Sequence, residues 1–217
     1  MPGVRAQVGI ALDGDGDRLV MVDHLGRSVD GDQLLYVIAS ARQAEGTLQG
    51  PVVGTLMSNL GLEIALRDQG IGFHRAQVGD RYVLAMLRER GGTLGGETSG
   101  HILTLDKTTT GDAMVAALQV LAVMRSSGRT LAELAAGMQK FPQELVNVRV
   151  ARRFDPMAVP AVQDSVRRIE ARLKGRGRVV LRASGTEPVI RVMIEAEEEA
   201  EAKGCAAELA AVVGAAA

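Results

Sequence analysis

At 217 residues, 47% of them apolar, the chain has material for one large domain or two smaller ones, each with its own core. A formal net charge of −1 and no run of like charges give nucleic acid no basic field, and an aromatic content of 2% without Trp removes the stacking platforms that single strands use. Cys205 is the one cysteine, which excludes an intramolecular disulfide and a thiolate metal cluster; with no signal peptide and no bilayer-length apolar stretch, the expectation is a cytoplasmic protein with no nucleic-acid and no membrane partner.

After Met1-Pro2-Gly3-Val4-Arg5-Ala6-Gln7, a strand-like stretch from Val8 runs straight into Asp13-Gly14-Asp15-Gly16-Asp17-Arg18. Carboxylates on alternate residues of a glycine-punctuated loop can turn toward one point, where their repulsion is too costly unless a hard cation sits among them. Asp13, Asp15 and Asp17 are therefore candidate Mg2+ ligands; the alternative is a solvated acidic turn with Arg18 as its counter-ion. Spacing excludes a calcium EF-hand loop, because counting from Asp13 the turn-glycine position is Arg18 and the bidentate-glutamate position is His24. So little chain precedes the first strand that few sheet neighbours are available to it, and the expectation is a chain that begins within a domain.

A second strand covers Leu19 to Asp23, and Asp30 caps a helix from Gly31 to Ala44 with Leu34, Leu35 and Ile38 on its buried face. Val52 to Thr55 is a strand, Asn59 to Gln69 a helix closed by Gly70, and Ile71 to Arg75 a strand. Asp80 caps a helix to Arg90, a glycine-rich stretch runs from Gly91 to Gly100, and Ile102 to Leu105 is a strand. Met114 to Met124 is apolar helix, and Thr130 with Glu133 signals a capping box. Strands and helices alternating at this length argue for an α/β domain with a sheet covered on both faces. Beyond Phe141-Pro142, strands at Glu144 to Val150, Arg178 to Leu181 and Val189 to Glu195 and helices at Met157 to Leu173 and Glu197 to Val213 make a compact α+β unit.

Arg182-Ala183-Ser184-Gly185-Thr186-Glu187-Pro188 lies between two of these strands. A forked guanidinium, two hydroxyls and a glycine backbone suit a phosphate, with Arg191 as a second positive charge; an ordinary polar hairpin uses the same residues. Gly95 to His101 is not a P-loop, since His101 and Ile102 follow Gly100. Glu97, Ser99 and His101 offer the donors and acceptors that grip vicinal sugar hydroxyls, and an exposed turn is the bland alternative. Met57-Ser58-Asn59 and Val78-Gly79-Asp80-Arg81 fall at strand-to-helix junctions, where open α/β sheets place ligands, although capping accounts for Asn59 and Asp80.

Taken together, Asp13 to Arg18, Gly96 to His101 and Arg182 to Pro188 resemble, in order and separation, the metal, sugar and phosphate loops of the α-D-phosphohexomutases. The resemblance runs from Val8 to Val213, and Val29 to Leu34, Val53 to Asn59, Val78 to Tyr82 and Asp106 to Asp112 are most similar to the family's bacterial amino-sugar branch. It implies residues 1–27 as the tail of one α/β domain carrying the metal loop, residues 28–141 as a complete α/β domain with a mixed sheet and helices on both faces, and residues 142–217 as a C-terminal α+β domain.

The implied activity is interconversion of glucosamine 6-phosphate and glucosamine 1-phosphate, on the way to UDP-N-acetylglucosamine and cell-wall precursors, through a phosphoserine and a bisphosphate intermediate. Asp13, Asp15 and Asp17 would hold Mg2+; Glu97, Ser99 and His101 would hold the sugar; Arg182, Ser184, Gly185, Thr186 and Arg191 would hold the phosphate, with Arg18, Asp80 and Arg81 as further candidates. A full-length member of the family would be a homodimer. Two departures stand out. Members of this branch usually have an amide side chain where this chain has Thr98, and no Ser-His-Asn loop occurs in these residues, so the expectation is a chain that binds a hexosamine phosphate but does not turn over alone.

A phosphomannomutase or phosphoglucomutase and a non-catalytic sugar-phosphate-binding module are the alternatives of the same fold. Leu12-Asp13-Gly14-Asp15 also resembles the nucleophile motif of haloacid-dehalogenase-type phosphatases, with Asp13 as nucleophile and Asp15 as acid/base, but Asp17 stands where that family has a small Thr or Val.

Overall fold

Tertiary contacts sort the described residues of a computed structural model, residue 3 and residues 5–152, 154–184 and 187–217, into two units that divide between Gln139 and Lys140. In the first, β1 (Val8–Leu12) and β2 (Leu19–Asp23) form an antiparallel hairpin, with Leu12 opposite Leu19 and Ile10 opposite Met21, and β3 (Ser28–Val29) pairs with β2. The acidic loop is thus the tip of that hairpin. The first strand finds its neighbour in the next strand of the sequence. Leu19 and Met21 are fully buried, while Ile10 and Leu12 on the outer strand are 45% and 41% exposed.

Asp30 caps α1 (Gly31–Ala44) through a reciprocal pair: its carboxylate accepts from the Gln33 N–H at 3.2 Å, and the Gln33 side chain accepts from the Asp30 N–H at 3.3 Å. Leu34, Leu35 and Ile38 are buried as their spacing predicts. Four further strands form one mixed sheet. β4 (Val52–Thr55) runs parallel to β5 (Phe73–Ala76) and β6 (Leu94–Gly96), and β6 pairs antiparallel with β7 (Ile102–Thr104), giving the order β5-β4-β6-β7.

The crossovers are α2 (Leu60–Asp68) and α3 (Asp80–Arg90), and α4 (Ala113–Ser127) and α5 (Leu131–Ala135) follow β7. Alternate strand residues serve opposite faces. Val52, Leu94 and Ile102 join one core with α1, α2 and α4, whereas Val53, Ala76 and Leu103 pack with Val83 and Leu87 of α3.

Three of the differences from expectation in this unit have a local physical cause. Ile71 is not strand: its N–H bonds the Leu66 carbonyl at 2.9 Å and closes α2, so β5 starts at Phe73. The glycine-rich stretch contains β6, because a Cβ on Gly95 would lie 2.6 Å from the Val53 carbonyl oxygen, and only glycine lets the backbones approach that closely. Gly79, not Asp80, occupies the cap position of α3, with no side-chain cap bond; Asp80 is in the first turn, where its charge suits the helix dipole.

The second unit is an antiparallel sheet of β8 (Gln143–Arg149), β9 (Gly177–Ala183) and β10 (Val189–Ala196) in the order β8-β10-β9, with α6 (Pro160–Leu173) and α7 (Glu199–Ala215) packed on it. Ile190, Val192 and Ile194 meet Val162, Ile169, Cys205 and Leu209 in its core. The helix expected from Met157 is split. A 3-10 turn covers Pro156–Ala158, and α6 begins at Pro160, whose missing N–H is tolerated only in a first turn. Among the described residues no helix is long and apolar enough to cross a membrane.

Gly31, the first residue of α1, is where this architecture meets the loop after β6. A Cβ there would lie 2.1 Å from the Glu97 carbonyl oxygen and 2.7 Å from the Gly100 nitrogen, both backbone atoms that cannot swing aside. Helix propensity favours Ala over Gly by about 1 kcal/mol, so Gly31→Ala tests which effect wins. The expected outcome is a lowered midpoint of thermal unfolding and shifted amide resonances for residues 97–100; a stabilised variant with an unmoved loop would show that the contact is slack.

Candidate functional site

The loops that leave the carboxyl ends of the parallel strands β4, β5 and β6, residues 56–59, 77–79 and 97–101, are the places where an open α/β sheet gathers ligand-binding groups. The acidic hairpin tip adjoins the third of them. The Leu19 N–H donates to the Gly100 carbonyl at 3.1 Å, and Arg18 pairs with His101 in a single antiparallel bridge.

At the tip, Asp13 accepts backbone N–H bonds from Asp17 at 3.2 Å and Arg18 at 3.3 Å. Desolvation raises its pKa, but backbone N–H donors, those of Arg18, Asp17 and Gly16, outweigh it and hold the carboxyl below its ordinary value. Asp17 turns one oxygen to His101 Nδ1 at 3.0 Å; its other oxygen is buried with no hydrogen-bond partner. Asp15 is exposed at the turn. Arg18 reaches Asp13 only at 4.0 Å between exposed side chains, a pair of little energetic weight.

Among the described residues, no three His, Cys, Asp or Glu side chains gather around one point as a metal cage requires. The expected convergence of Asp13, Asp15 and Asp17 is corrected to that extent, since backbone donors occupy Asp13 and His101 occupies Asp17. The donor set still suits a hard cation: it is all oxygen, and Asp17 keeps a buried oxygen unmet.

In the loop after β6, Ser99 is exposed and Glu97 half-buried. Glu97 accepts the Gly79 N–H at 3.0 Å, which joins this loop to the one after β5. His101 differs from the sugar contact expected of it. It is 5% exposed and directed at Asp17, so in this arrangement it positions the acidic tip. Asp80 and Arg81 are exposed at the start of α3, with Arg81 lying 4.5 Å above the Tyr82 ring centroid.

Sequence reasoning passed over Asp32. It is fully buried in the first turn of α1, and its Oδ2 accepts from the Asn59 N–H and from the Thr98 hydroxyl, each at 2.8 Å. Burial pushes its pKa up to about 6 against those two donors and the Ser58 side chain, and Asp30 adds to the rise. The available signal was a second Asp-Gly-Asp at a helix start, which capping by Asp30 explained only in part.

In the second unit, Arg182 and Arg191 sit directly opposite each other on β9 and β10. Burial, then the charge of Arg191, lowers the Arg182 pKa from its ordinary value, and Arg182 Nε is buried with no hydrogen-bond partner. Arg191 lies 3.8 Å from Glu187, itself well exposed. Ser184 is buried just past the end of β9, where its N–H donates to the Val189 carbonyl at 2.8 Å and its hydroxyl oxygen accepts the Glu187 N–H at 3.3 Å. Gly185 and Thr186 lie outside the described residues.

Two family models match this chain: phosphoglucomutase/phosphomannomutase alpha/beta/alpha domain III over residues 30–141, and the phosphoglucomutase/phosphomannomutase C-terminal domain over residues 145–212. A phosphoglucosamine mutase of Methylococcus capsulatus is 61% identical over 208 residues, and one of Aeromonas salmonicida 57% identical over 206; the match takes in 96% and 95% of this chain but 46% of each relative. The chain spans about half the length of the curated relatives it matches. The crystal structure of Aspergillus fumigatus N-acetylphosphoglucosamine mutase in complex with GlcNAc-6P and magnesium superposes with a TM-score of 0.79 at 26% identity, covering 95% of this chain and 48% of that one.

The buried carboxylate of Asp32 makes stability depend on pH in a defined direction. With the pKa raised from its ordinary 3.8 to about 6 on folding, the folded chain keeps a proton that the unfolded chain has released, so this group's contribution to stability falls as pH rises through that window. Asp32→Asn lacks the dependence, and its amide oxygen can keep both bonds. At 1.36 kcal/mol per pKa unit, the difference in unfolding free energy should move in the variant's favour by about 2 kcal/mol between pH 4 and pH 7. Urea unfolding followed by tyrosine fluorescence measures it in the first unit, which holds both tyrosines, Tyr36 and Tyr82. Parallel pH profiles would remove the burial penalty from the account.

Proposed function

The chain belongs to the phosphoglucomutase/phosphomannomutase family, and from that premise we propose that it carries the substrate-holding part of a phosphoglucosamine mutase, which interconverts glucosamine 6-phosphate and glucosamine 1-phosphate for UDP-N-acetylglucosamine and peptidoglycan precursor synthesis. The observation that carries the reading is the facing pair Arg182 and Arg191 beside the Ser184 turn. Two guanidinium groups directly opposite each other repel, and a buried Nε without a partner is costly; a phosphate relieves both at once.

Each loop then has a task. Arg182, Arg191 and Ser184, with Gly185 and Thr186, hold the phosphate that is not reacting. Glu97 and Ser99 grip sugar hydroxyls, and the Gly79 N–H fixes the Glu97 carboxylate for it. Asp13, Asp15 and Asp17 would hold Mg2+, with His101 orienting Asp17; when bound, the ion neutralises charge that develops on a phosphoryl group in transfer. We assign the phosphoryl-carrying serine to a segment outside these residues, because they contain no Ser-His-Asn loop.

On this reading the chain binds glucosamine 6-phosphate without converting it. Calorimetric titration should give saturable binding, weakened by about 1.5–3 kcal/mol in Arg182→Ala, the range for hydrogen bonds to charged groups. No glucosamine 1-phosphate should form with Mg2+ and glucose 1,6-bisphosphate present. Robust turnover by the chain alone would overturn the assignment of the nucleophile, and undiminished binding by Arg182→Ala would remove the phosphate clamp.

A further inference from the structure

A single carboxylate oxygen ties together two of the loops that surround the site in the first unit. Asp32 Oδ2 receives the Asn59 N–H from the loop after β4 and the Thr98 hydroxyl from the loop after β6, each at 2.8 Å. The same face of α1 holds the second loop by its backbone, since the Gly31 N–H donates to the Thr98 carbonyl at 3.1 Å. Thr98 lies between Glu97 and Ser99, the two residues offered to sugar hydroxyls. Its side chain is therefore turned inward as an anchor, which leaves its two neighbours to face a ligand.

We propose that Asp32 is a positioning residue: through the Thr98 hydroxyl it fixes the loop of residues 97–100, and with it the placement of Glu97 and Ser99 against the sugar ring. The inference rests on the reading of those two residues as the sugar grip. Three features support a dedicated tether over incidental packing. The carboxylate is fully buried, although burial disfavours its charge and no cation is among its hydrogen-bond donors. Its bonds, from Asn59, Thr98 and Ser58, run to loops at strand ends and not within α1. A bond to an ionised acceptor is also about twice as strong as a neutral one, which suits a contact that must hold an exposed loop still.

The test compares Thr98→Val, which keeps the shape and deletes the donor, with Thr98→Ser, which keeps the donor. In wild-type chain and both variants, amide hydrogen exchange is measured for residues 96–101, and affinity is measured calorimetrically for glucosamine 6-phosphate and for inorganic phosphate. Thr98→Val should speed exchange of the loop about tenfold and weaken glucosamine 6-phosphate about tenfold. Its affinity for inorganic phosphate should be unchanged, because that anion needs only the clamp of the second unit. Thr98→Ser should return both altered values to within about threefold of wild type. Wild-type exchange in Thr98→Val, or no rescue by Thr98→Ser, overturns the tether. Equal loss of both ligands in Thr98→Val also overturns it, since that is general damage. If the wild-type chain takes up inorganic phosphate but discriminates no sugar phosphate from it, the sugar-grip reading fails, while the exchange rates still decide whether the tether exists.

Discussion

The close approach of the first turn of α1 to the loop after β6 is the constraint on which the arrangement of the first unit depends. There is no room for a side chain at Gly31, because the Glu97 carbonyl and the Gly100 nitrogen already occupy the space. That contact puts the N-terminal end of a helix, with its unpaired N–H groups and partial positive charge, against a loop whose carbonyls can use them. It also drives the Asp32 side chain into the interior, where its charge is tolerated by bonds from Asn59 and Thr98. Packing at one glycine thereby fixes a helix, two strand-end loops and, through the Leu19 bond to Gly100, the start of the hairpin that bears the acidic tip.

Electrostatics distinguishes the two units in opposite senses. The hairpin tip concentrates Asp13, Asp15 and Asp17, and the β9–β10 pair sets Arg182 against Arg191. Each cluster is unfavourable by itself, and each keeps a buried polar atom without a partner, one oxygen of Asp17 and the Nε of Arg182. A structural network would have evolved toward mutual satisfaction, as Arg178 and Glu195 do within the same sheet. Unmet groups of one sign in a polar loop are what a ligand of the other sign would relieve, and the proposed function assigns a cation to the first and a phosphate to the second.

Neighbouring units of the chain differ in how they reach stability. The first stacks helices on both faces of a mixed sheet, so Val52 and Val53, adjacent in sequence, serve separate cores. The second covers its antiparallel sheet with α6 and α7 and gathers one core around Ile190, Val192 and Ile194. In the first case both faces of the central strands β4 and β6 are buried, whereas alternation along β8 leaves every second residue exposed.

Much of this was legible in sequence because it is encoded locally. The helix cap at Asp30, the capping box at Thr130, the period of Leu34, Leu35 and Ile38, and the extent of β2, α1 and β4 depend on residues within a few positions of one another, and backbone hydrogen bonding and helical geometry translate such spacing directly. The acidic, Glu97 and Arg182 loops were visible for the same reason, as unusual chemistry in short stretches. Other features depend on residues far apart in the chain. Asp32 becomes a tether only when β4 and β6 bring Asn59 and Thr98 to it; His101 becomes a partner of Asp17 only when the hairpin lies beside the loop; and Gly95 belongs to a strand only because β4 passes within reach. Local spacing carries the identity of a side chain and its place on an element, but burial, pairing and the direction a polar group faces are set by which distant backbone arrives next to it.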